Sequence, residues 1–402
     1  MINIRGTIIL SIKKILDNKF TNIIIIMQIF VALLTVNILV GRVQYTYYLK
    51  NIIENGSISK AVYFSPSPQF VIGAMNNNQT ISTDEKVNSI SNIDQIGKIY
   101  TTRLIMPQID AAIEAYVYNN SIINSIKLPL YKGKWFPNEQ IKDDRIPIIL
   151  SYSMAKFFKV GDLLPIKYVD KNNNTGEMYA QVIGIMNNSN FFLRLGAGGS
   201  KMQLNQIFSR NQFFAIIPYT NINTRMQTFD QFGRILFINN DANRNEAIEK
   251  AKNILMNLGH TDTIENMISN YLQSNHKNII MQSVLSILLL MLAISGVGGS
   301  NALLLINQEK EFAIYFMCGL SWGRCILIII IRSSVLLILP LILSSIATNA
   351  LYWTLFGENM IINVYNIGIS VAFVIFIYFI SSLSQLIAFY KTSPISIIRR
   401  WI

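Results

Sequence analysis

Four apolar stretches, each long enough to cross a bilayer, constrain this chain more than any other feature: residues 23–40, 279–306, 325–356 and 364–390. A helix rises about 1.5 Å per residue, so roughly 20 apolar residues span a hydrocarbon core about 30 Å thick. The first stretch, IIIIMQIFVALLTVNILV, carries no charged side chain. A cleaved signal peptide is the competing reading, but the run is long and no A-x-A-like site follows it. Ahead of it, Ile4, Ile8, Ile12 and Ile15 recur at helical spacing, with Arg5, Lys13, Lys14 and Lys19 available to lipid headgroups. That pattern predicts an interfacial helix, against the alternative of a poorly ordered basic terminus.

Composition agrees, because 51% of the 402 residues are hydrophobic and only 14% are charged, too few for a soluble chain of this length. The formal charge of +12 is unevenly placed. Residues 44–277 hold 23 basic and 18 acidic side chains, a net of +5, so the shorter remainder holds the other +7. Lys and Arg favour cytoplasmic flanks, and they cluster before the first stretch, at Lys310 and Arg324, and at Lys391, Arg399 and Arg400. Both termini are therefore expected in the cytoplasm. No basic stripe with interleaved aromatics marks a nucleic-acid groove.

The expected architecture is an α-helical membrane protein with four transmembrane helices and a large α+β extracytoplasmic domain between helices 1 and 2. Its parts are a cytoplasmic interfacial helix (1–19), helix 1 (20–43), the outer domain (44–277), helix 2 (278–306), a cytoplasmic segment (307–324), helix 3 (325–356), an outer loop (357–363), helix 4 (364–390) and a cytoplasmic tail (391–402). In the outer domain AVYF (61–64), IPIIL (146–150), LLPIKYV (163–169), MYAQVIGIM (178–186) and FFAIIP (213–218) read as strands, with turn chemistry over Asp170–Gly176. SYSMAKFF (151–158) and ANRNEAIEKAKNILMNLG (242–259) read as helices, the second stopped by Gly259.

Within the apolar stretches, Arg332 is expected to snorkel or pair inside the bundle, snorkelling being favoured. Gly296, Gly298, Gly299 and Ser300 are expected to permit close helix packing, and Pro340 to kink helix 3. Cys318 and Cys325 are seven apart, read as free thiols on one helical face, and with only His260 and His276 besides, no metal site is expected.

No phosphate-binding loop, nucleophile elbow or metalloprotease helix occurs, so no catalytic residue and no cofactor is assigned to this chain. Asp143 and Asp144 read as a solvated turn, and Gly196–Ser200 as a flexible loop that could serve as a contact surface. The most informative stretch is NQEKEFAIYFMCGLSWGRC (307–325), where Glu309, Lys310 and Glu311 give way to Phe312, Ile314, Tyr315, Phe316 and Met317, then Gly319 and Ser321. A short amphipathic helix with exposed aromatics needs a partner, either headgroups or a soluble protein.

Here the sequence resembles the permease subunits of MacB/FtsX-like ABC transporters, whose second and third helices are joined by a motif like R-E-I-G-I-x-R-A-L-G-A-S. Lys310-Glu311, Ile314, Gly319 and Ser321 follow that pattern, while Ala313 and Phe316 depart from it. The outer domain is also similar to the MacB-like periplasmic core through Gly133-Lys-Trp-Phe136, IPIILSYSMAKFFKVGDLLPIKY, QVIGIM and AIIPYTNI (215–222), and the chain ends in a similar Thr392-Ser-Pro394 with Arg399 and Arg400. Where that family commonly carries an acid in helix 3, this chain has Arg332.

The resemblance implies a plasma-membrane permease without enzymatic activity, paired with a second permease copy or a homologous permease. ATP would be bound by a separate ATPase subunit, and an extracytoplasmic adaptor is a further candidate partner. It implies that Glu309, Lys310, Glu311, Phe312, Tyr315, Phe316 and Gly319 form the ATPase-coupling site, and that ATP hydrolysis moves the outer domain by mechanotransmission. Export of a peptide, toxin or antibiotic is the expectation, with a membrane regulator of a cell-wall hydrolase as the alternative. Nothing in the sequence names substrate contacts.

Overall fold

The computed structural model describes residues 4–77, 80–90, 92–137, 145–187, 191–196, 204–211, 213–220, 225–238, 243–351 and 360–391. The chain divides into two compact units, Met1–Tyr45 with His276–Ile402, and Thr46–Asn275.

The first unit is helical. Helix α1 (Ile4–Asp17) is followed by α2 (Lys19–Glu54), which continues well past the expected end at residue 43. The closing helices are α8 (Ile264–Met317), α9 (Trp322–Leu351) and α10 (Val364–Lys391), with α3–α7 intervening in the other unit. Among the described residues, α2, α8, α9 and α10 are the four helices long and apolar enough to cross a membrane. They share one core, in which Ile29 and Leu33 of α2 meet Ala293 and Val297 of α8, Leu337 of α9 and Ile377 of α10. Gly296 of α8 lies against Gln28, where an added Cβ would fall 2.4 Å from Oε1, so this glycine permits the close approach expected of it. Gly298 and Gly299 face open space instead. Helix α9 runs through Pro340 without ending.

Helix α1 forms where an interfacial helix is expected, but it also packs against α9 through a buried Ser11, whose hydroxyl donates to the Ile328 carbonyl at 3.3 Å. Ile9, Ile12 and Leu16 remain exposed on it.

The second unit is α+β and holds two main sheets. Strands β3 (Ile99–Met106), β4 (Ala111–Tyr118), β11 (Phe214–Pro218), β6 (Ile146–Leu150), β8 (Thr175–Met186) and β7 (Leu163–Val169) pair in that order, and β7 pairs back onto β3. The ladder therefore closes into a six-stranded barrel, which removes the open edges that strands otherwise present. β12 (Phe229–Asp230) and β5 (Leu130–Gly133) extend it as branches from β3 and β8. Alternate residues fill the interior, among them Leu104, Ile113, Ile148, Ile166, Val182 and Ile217. Two of the five expected strands, 146–150 and 163–169, appear with their expected bounds. The Asp170–Gly176 turn forms as the residue types require: Asp170 Oδ1 accepts from the Asn172 and Asn174 amides at 2.8 and 2.7 Å, and Asn173 takes φ +64.

β4 alternates over Ala112–Ala115 but is buried throughout Ala115–Tyr118, because its outward side is also covered there. β9 (Phe191–Leu193) and β10 (Phe208–Arg210) form a small ribbon there, with Phe192 4.2 Å from the Tyr116 ring and 4.5 Å from Phe214. Tyr118 locks the ribbon, its hydroxyl donating to Leu193 O at 2.8 Å and accepting from Leu193 N at 2.7 Å. Burial pushes the Tyr118 phenol well above its ordinary pKa, so it stays protonated and able to donate.

The other sheet is antiparallel in the order β14 (Gly259–Thr263), β1 (Val62–Pro66), β13 (Arg234–Ile238) and β2 (Ile93–Gly97). Val62, Phe64 and Leu236 of this sheet pack on Ile248, Ala251 and Leu255 of α7 (Arg244–Leu255), and Val87 of α4 (Thr80–Asn88) joins that core. Gly259 opens β14 rather than capping α7, because its position against Ser65 O, 2.2 Å from an added Cβ, excludes a side chain. The remaining helices are α3 (Pro68–Asn77), α5 (Asn120–Ser125) and α6 (Leu204–Ile207); SYSMAKFF supplies only a 3-10 turn over Tyr152–Lys156.

Candidate functional site

The segment 307–317 is not a separate amphipathic helix. It is the last part of α8, continuous with the membrane-length stretch before it. The helix ends at a turn built around Gly319, which takes φ +88, a left-handed conformation costing other residues about 1–2 kcal/mol. Leu320 N donates to Tyr315 O at 2.9 Å and Cys318 N donates to Ile314 O at 2.9 Å. The first of these spans five residues and closes a Schellman-type cap, with Gly319 in the position that demands glycine. Leu320 is buried behind the turn, and the Arg324 amide donates to Ser321 O at 2.9 Å as α9 begins.

This geometry sorts the expected coupling residues. Glu311 and Gly319 are exposed and Tyr315 is half-buried, whereas the side chains of Glu309, Lys310, Phe312 and Phe316 lie outside the described residues. Ile314 and Met317 are exposed at 51% and 62%, on the turn that precedes the cap. Both belong to the amphipathic stretch read from the sequence, but neither is in the expected coupling set, though their three-residue spacing places them on one helical face. Cys318 caps α8 while Cys325 belongs to α9, so the cap separates them and they do not share one helical face. Cys318 is free and exposed.

Behind the turn, α9 is tied to its neighbours by buried polar contacts. Arg332, 3% exposed, donates from Nη2 to Asn22 Oδ1 at 2.8 Å, and Asn22 Nδ2 in turn donates to Ile15 O at 2.8 Å. The guanidinium thus pairs inside the bundle and does not snorkel, because a fixed amide oxygen is within its reach. Its Nε finds no hydrogen-bond partner among the described residues. Further along, Asn37 of α2 donates to Thr348 at 3.3 Å and accepts from Ser370 at 2.5 Å, and Asn366 Nδ2 donates to Asn37 O at 3.3 Å. All four are buried, so α2, α9 and α10 are cross-linked by neutral hydrogen bonds where water is scarce.

No group of His, Cys, Asp and Glu that could hold a metal occurs among the described residues. Gly133 takes φ +92 and packs against Ile183 O, so the Gly133-Lys-Trp-Phe136 element rests on real backbone constraint. In the Gly196–Ser200 run, Gly196 O accepts from Tyr63 OH at 2.9 Å, and residues 197–200 lie outside the described residues. So do Asp143, Asp144, 352–359 and the tail from Thr392 through Pro394 to Arg399 and Arg400.

The fold and this site define a chain with four membrane-length helices and an α+β domain of two sheets placed, in chain order, between the first and second of them. No family model and no curated protein matches it. Among solved structures it is similar to the extracellular domain of a noncanonic ABC-type transporter, YknZ, from Gram-positive bacteria, at 14% identity over 49% of this chain and 92% of that one, with a TM-score of 0.29. It is also similar to the periplasmic region of MacB from Actinobacillus actinomycetemcomitans, at 11% identity over 56% of this chain and 97% of that one, with a TM-score of 0.32.

Proposed function

We propose that this chain is the permease subunit of an ATP-driven ABC transporter, lying in a bacterial plasma membrane with both termini cytoplasmic. A separate ATPase binds and hydrolyses ATP, and a second permease copy or a homologous permease completes the transporter. The observation that carries the reading is the capped turn at the end of α8. It holds Glu311, Ile314 and Met317 exposed beside a glycine-dependent bend, within the segment that resembles the coupling motif of such permeases. Exposed apolar side chains at a helix end are suited to a protein partner. ATPase closure would press on this turn and move the outer domain, and the solute moved is a peptide, toxin or antibiotic.

The test is purification of the native complex in mild detergent with mass spectrometry of its partners. A stoichiometric Walker-motif ATPase that accompanies the wild type and is lost from Glu311→Ala/Met317→Ser supports the reading. Recovery of a cell-wall hydrolase with no ATPase would sink it in favour of a membrane regulator.

A further inference from the structure

The barrel carries a cleft of about 670 Å³ between β5 and the 3-10 turn over Tyr152–Lys156. Its walls are basic and aromatic. Lys132, Lys156 and Lys159 line it together with Tyr131, Tyr152 and Phe158, and no carboxylate among the described residues does. The Tyr131 and Tyr152 rings meet edge to face at 5.3 Å, and Phe158 forms a buried apolar wall. Asp162 follows the cleft-lining segment in the chain, and its Oδ2 accepts from the Lys159 backbone amide at 2.7 Å.

What sets these lysines apart is their convergence on one cleft, since Lys86, Lys127, Lys134 and Lys171 of the same unit also form no ion pair among the described residues. Lys98, Lys167, Lys250 and Lys252 each stand within 4 Å of a carboxylate, as surface lysines commonly do. Lys132, Lys156 and Lys159 form no ion pair among the described residues, although three like charges around one cleft repel one another. The adjoining backbone is also open. β5 is the terminal strand of its sheet, with β8 on one side and no strand on the other among the described residues. A register shift between Leu130 and Lys132 re-aims the strand, so that consecutive side chains, Tyr131 and Lys132, both line the cleft. A free strand edge pairs with an extended chain, and the lysines select its charge.

We propose that this cleft binds an extended acidic peptide segment, its carboxylates among Lys132, Lys156 and Lys159 and an apolar side chain against Tyr131, Tyr152 and Phe158. A polyanion without apolar groups would use the lysines and leave the aromatic walls unfilled, which is why the peptide is favoured. The inference stands apart from the transporter reading, since it needs no ATPase.

Full-length protein in nanodiscs of zwitterionic lipid, with no ATPase added, is titrated against a fluorescent peptide of alternating glutamate and leucine with a central phenylalanine. The glutamine version of that peptide and poly(glycerol phosphate) serve as competitors. Saturable binding is expected, weakened about tenfold or more by Lys132→Gln/Lys156→Gln/Lys159→Gln. It should be weakened also by Tyr131→Ser, but unchanged by Lys167→Gln/Lys250→Gln/Lys252→Gln, which removes equal charge elsewhere. The proposal is overturned by absent binding, by equal loss in the two triple variants, or by displacement with poly(glycerol phosphate) while the peptide alone fails to saturate.

Discussion

Arg234 and Arg332 are both almost wholly removed from solvent, at 1% and 3% exposure, yet the two regions treat the same guanidinium in opposite ways. In the α+β unit, Arg234 donates to both oxygens of Asp230, at 2.8 and 2.5 Å, to Asp84 Oδ1 at 3.0 Å and to Gly233 O at 2.9 Å. Burial alone would lower its pKa, but these two carboxylates reverse the effect and raise it further above the ordinary arginine value. In the helical unit, Arg332 has, among the described residues, one neutral partner, Asn22, and an unpartnered Nε. The domain supplies counter-charges for its buried cation, while the bundle supplies only a dipole. Removing a charge should therefore have opposite consequences in the two places.

The largest expected effect comes from breaking the first case. Arg234→Met leaves the half-buried Asp230 without a cation and the half-buried Asp84 with Lys98 alone, so the α+β unit should lose up to about 3–5 kcal/mol. Urea unfolding followed through Trp135, the one tryptophan between residues 46 and 275, reads this directly. A loss no larger than that of an ordinary surface substitution would mean that the network contributes nothing to the fold.

The bundle should respond the other way. Asn22→Leu strands the Arg332 guanidinium and should cost about 1–3 kcal/mol, read as earlier helix loss in a detergent-denaturation titration. Adding Arg332→Met to that variant should restore most of the loss, because no buried cation is then left to satisfy. If the double variant is no more stable than Asn22→Leu alone, Asn22 holds the bundle through its bond to Ile15 instead.

Gly319→Ala tests a third kind of constraint, one of backbone rather than charge. Among the described residues, chain neighbours aside, no atom lies within 4 Å of the added Cβ, so its expected cost of about 1–2 kcal/mol comes from the left-handed φ. The strain falls on the α8–α9 turn, and amide hydrogen exchange over 314–321 should rise there and not in the α+β unit.

What the sequence disclosed follows the range of the forces involved. Long apolar runs, uncharged but for Arg332, reveal membrane helices because lipid acts on each residue separately, and all four were legible. IPIIL and LLPIKYV were legible because β-branched residues cluster between turn signals. Barrel closure was not, since it depends on Leu104 meeting Tyr168, residues far apart in the chain. β4 hid because β9 and β10 bury its outer face, which removes the alternation that marks a half-buried strand. In the segment 307–319, Glu311 and Gly319 could be singled out by motif, but the continuity of α8 could not. Its charged residues 309–311 look like an interruption, and a helix tolerates them wherever they meet water. Arg234 carried a readable signal, an arginine inside the apolar strand RILFI four residues after Asp230, whereas Asp84 is 150 positions away.

The smallest expected effect sharpens the comparison at its outer rim, where Lys98 adds a second cation to Asp84 at 2.5 Å. Burial of Asp84 alone would raise its pKa, but Arg234 and Lys98 together bring it below the ordinary carboxylate value. A lowered folded pKa gives stability that is fully present above the unfolded value of about 3.9 and is lost as pH falls through the folded one. Lys98→Gln leaves Arg234 in place, so at neutral pH it should cost only about 0.2–1 kcal/mol for a partly exposed pair. Its signature is instead in the acid limb: the Trp135-monitored stability should begin to fall at the same pH as in the wild type, set by the unfolded value, but should lose less and level off at a higher pH, because one of the two cations that hold Asp84 ionised is gone. Arg332 has no carboxylate partner among the described residues, so Arg332→Met should leave the same acid limb where it was. An unshifted limb in Lys98→Gln would assign the whole effect to Arg234 and reduce Lys98 to a surface charge.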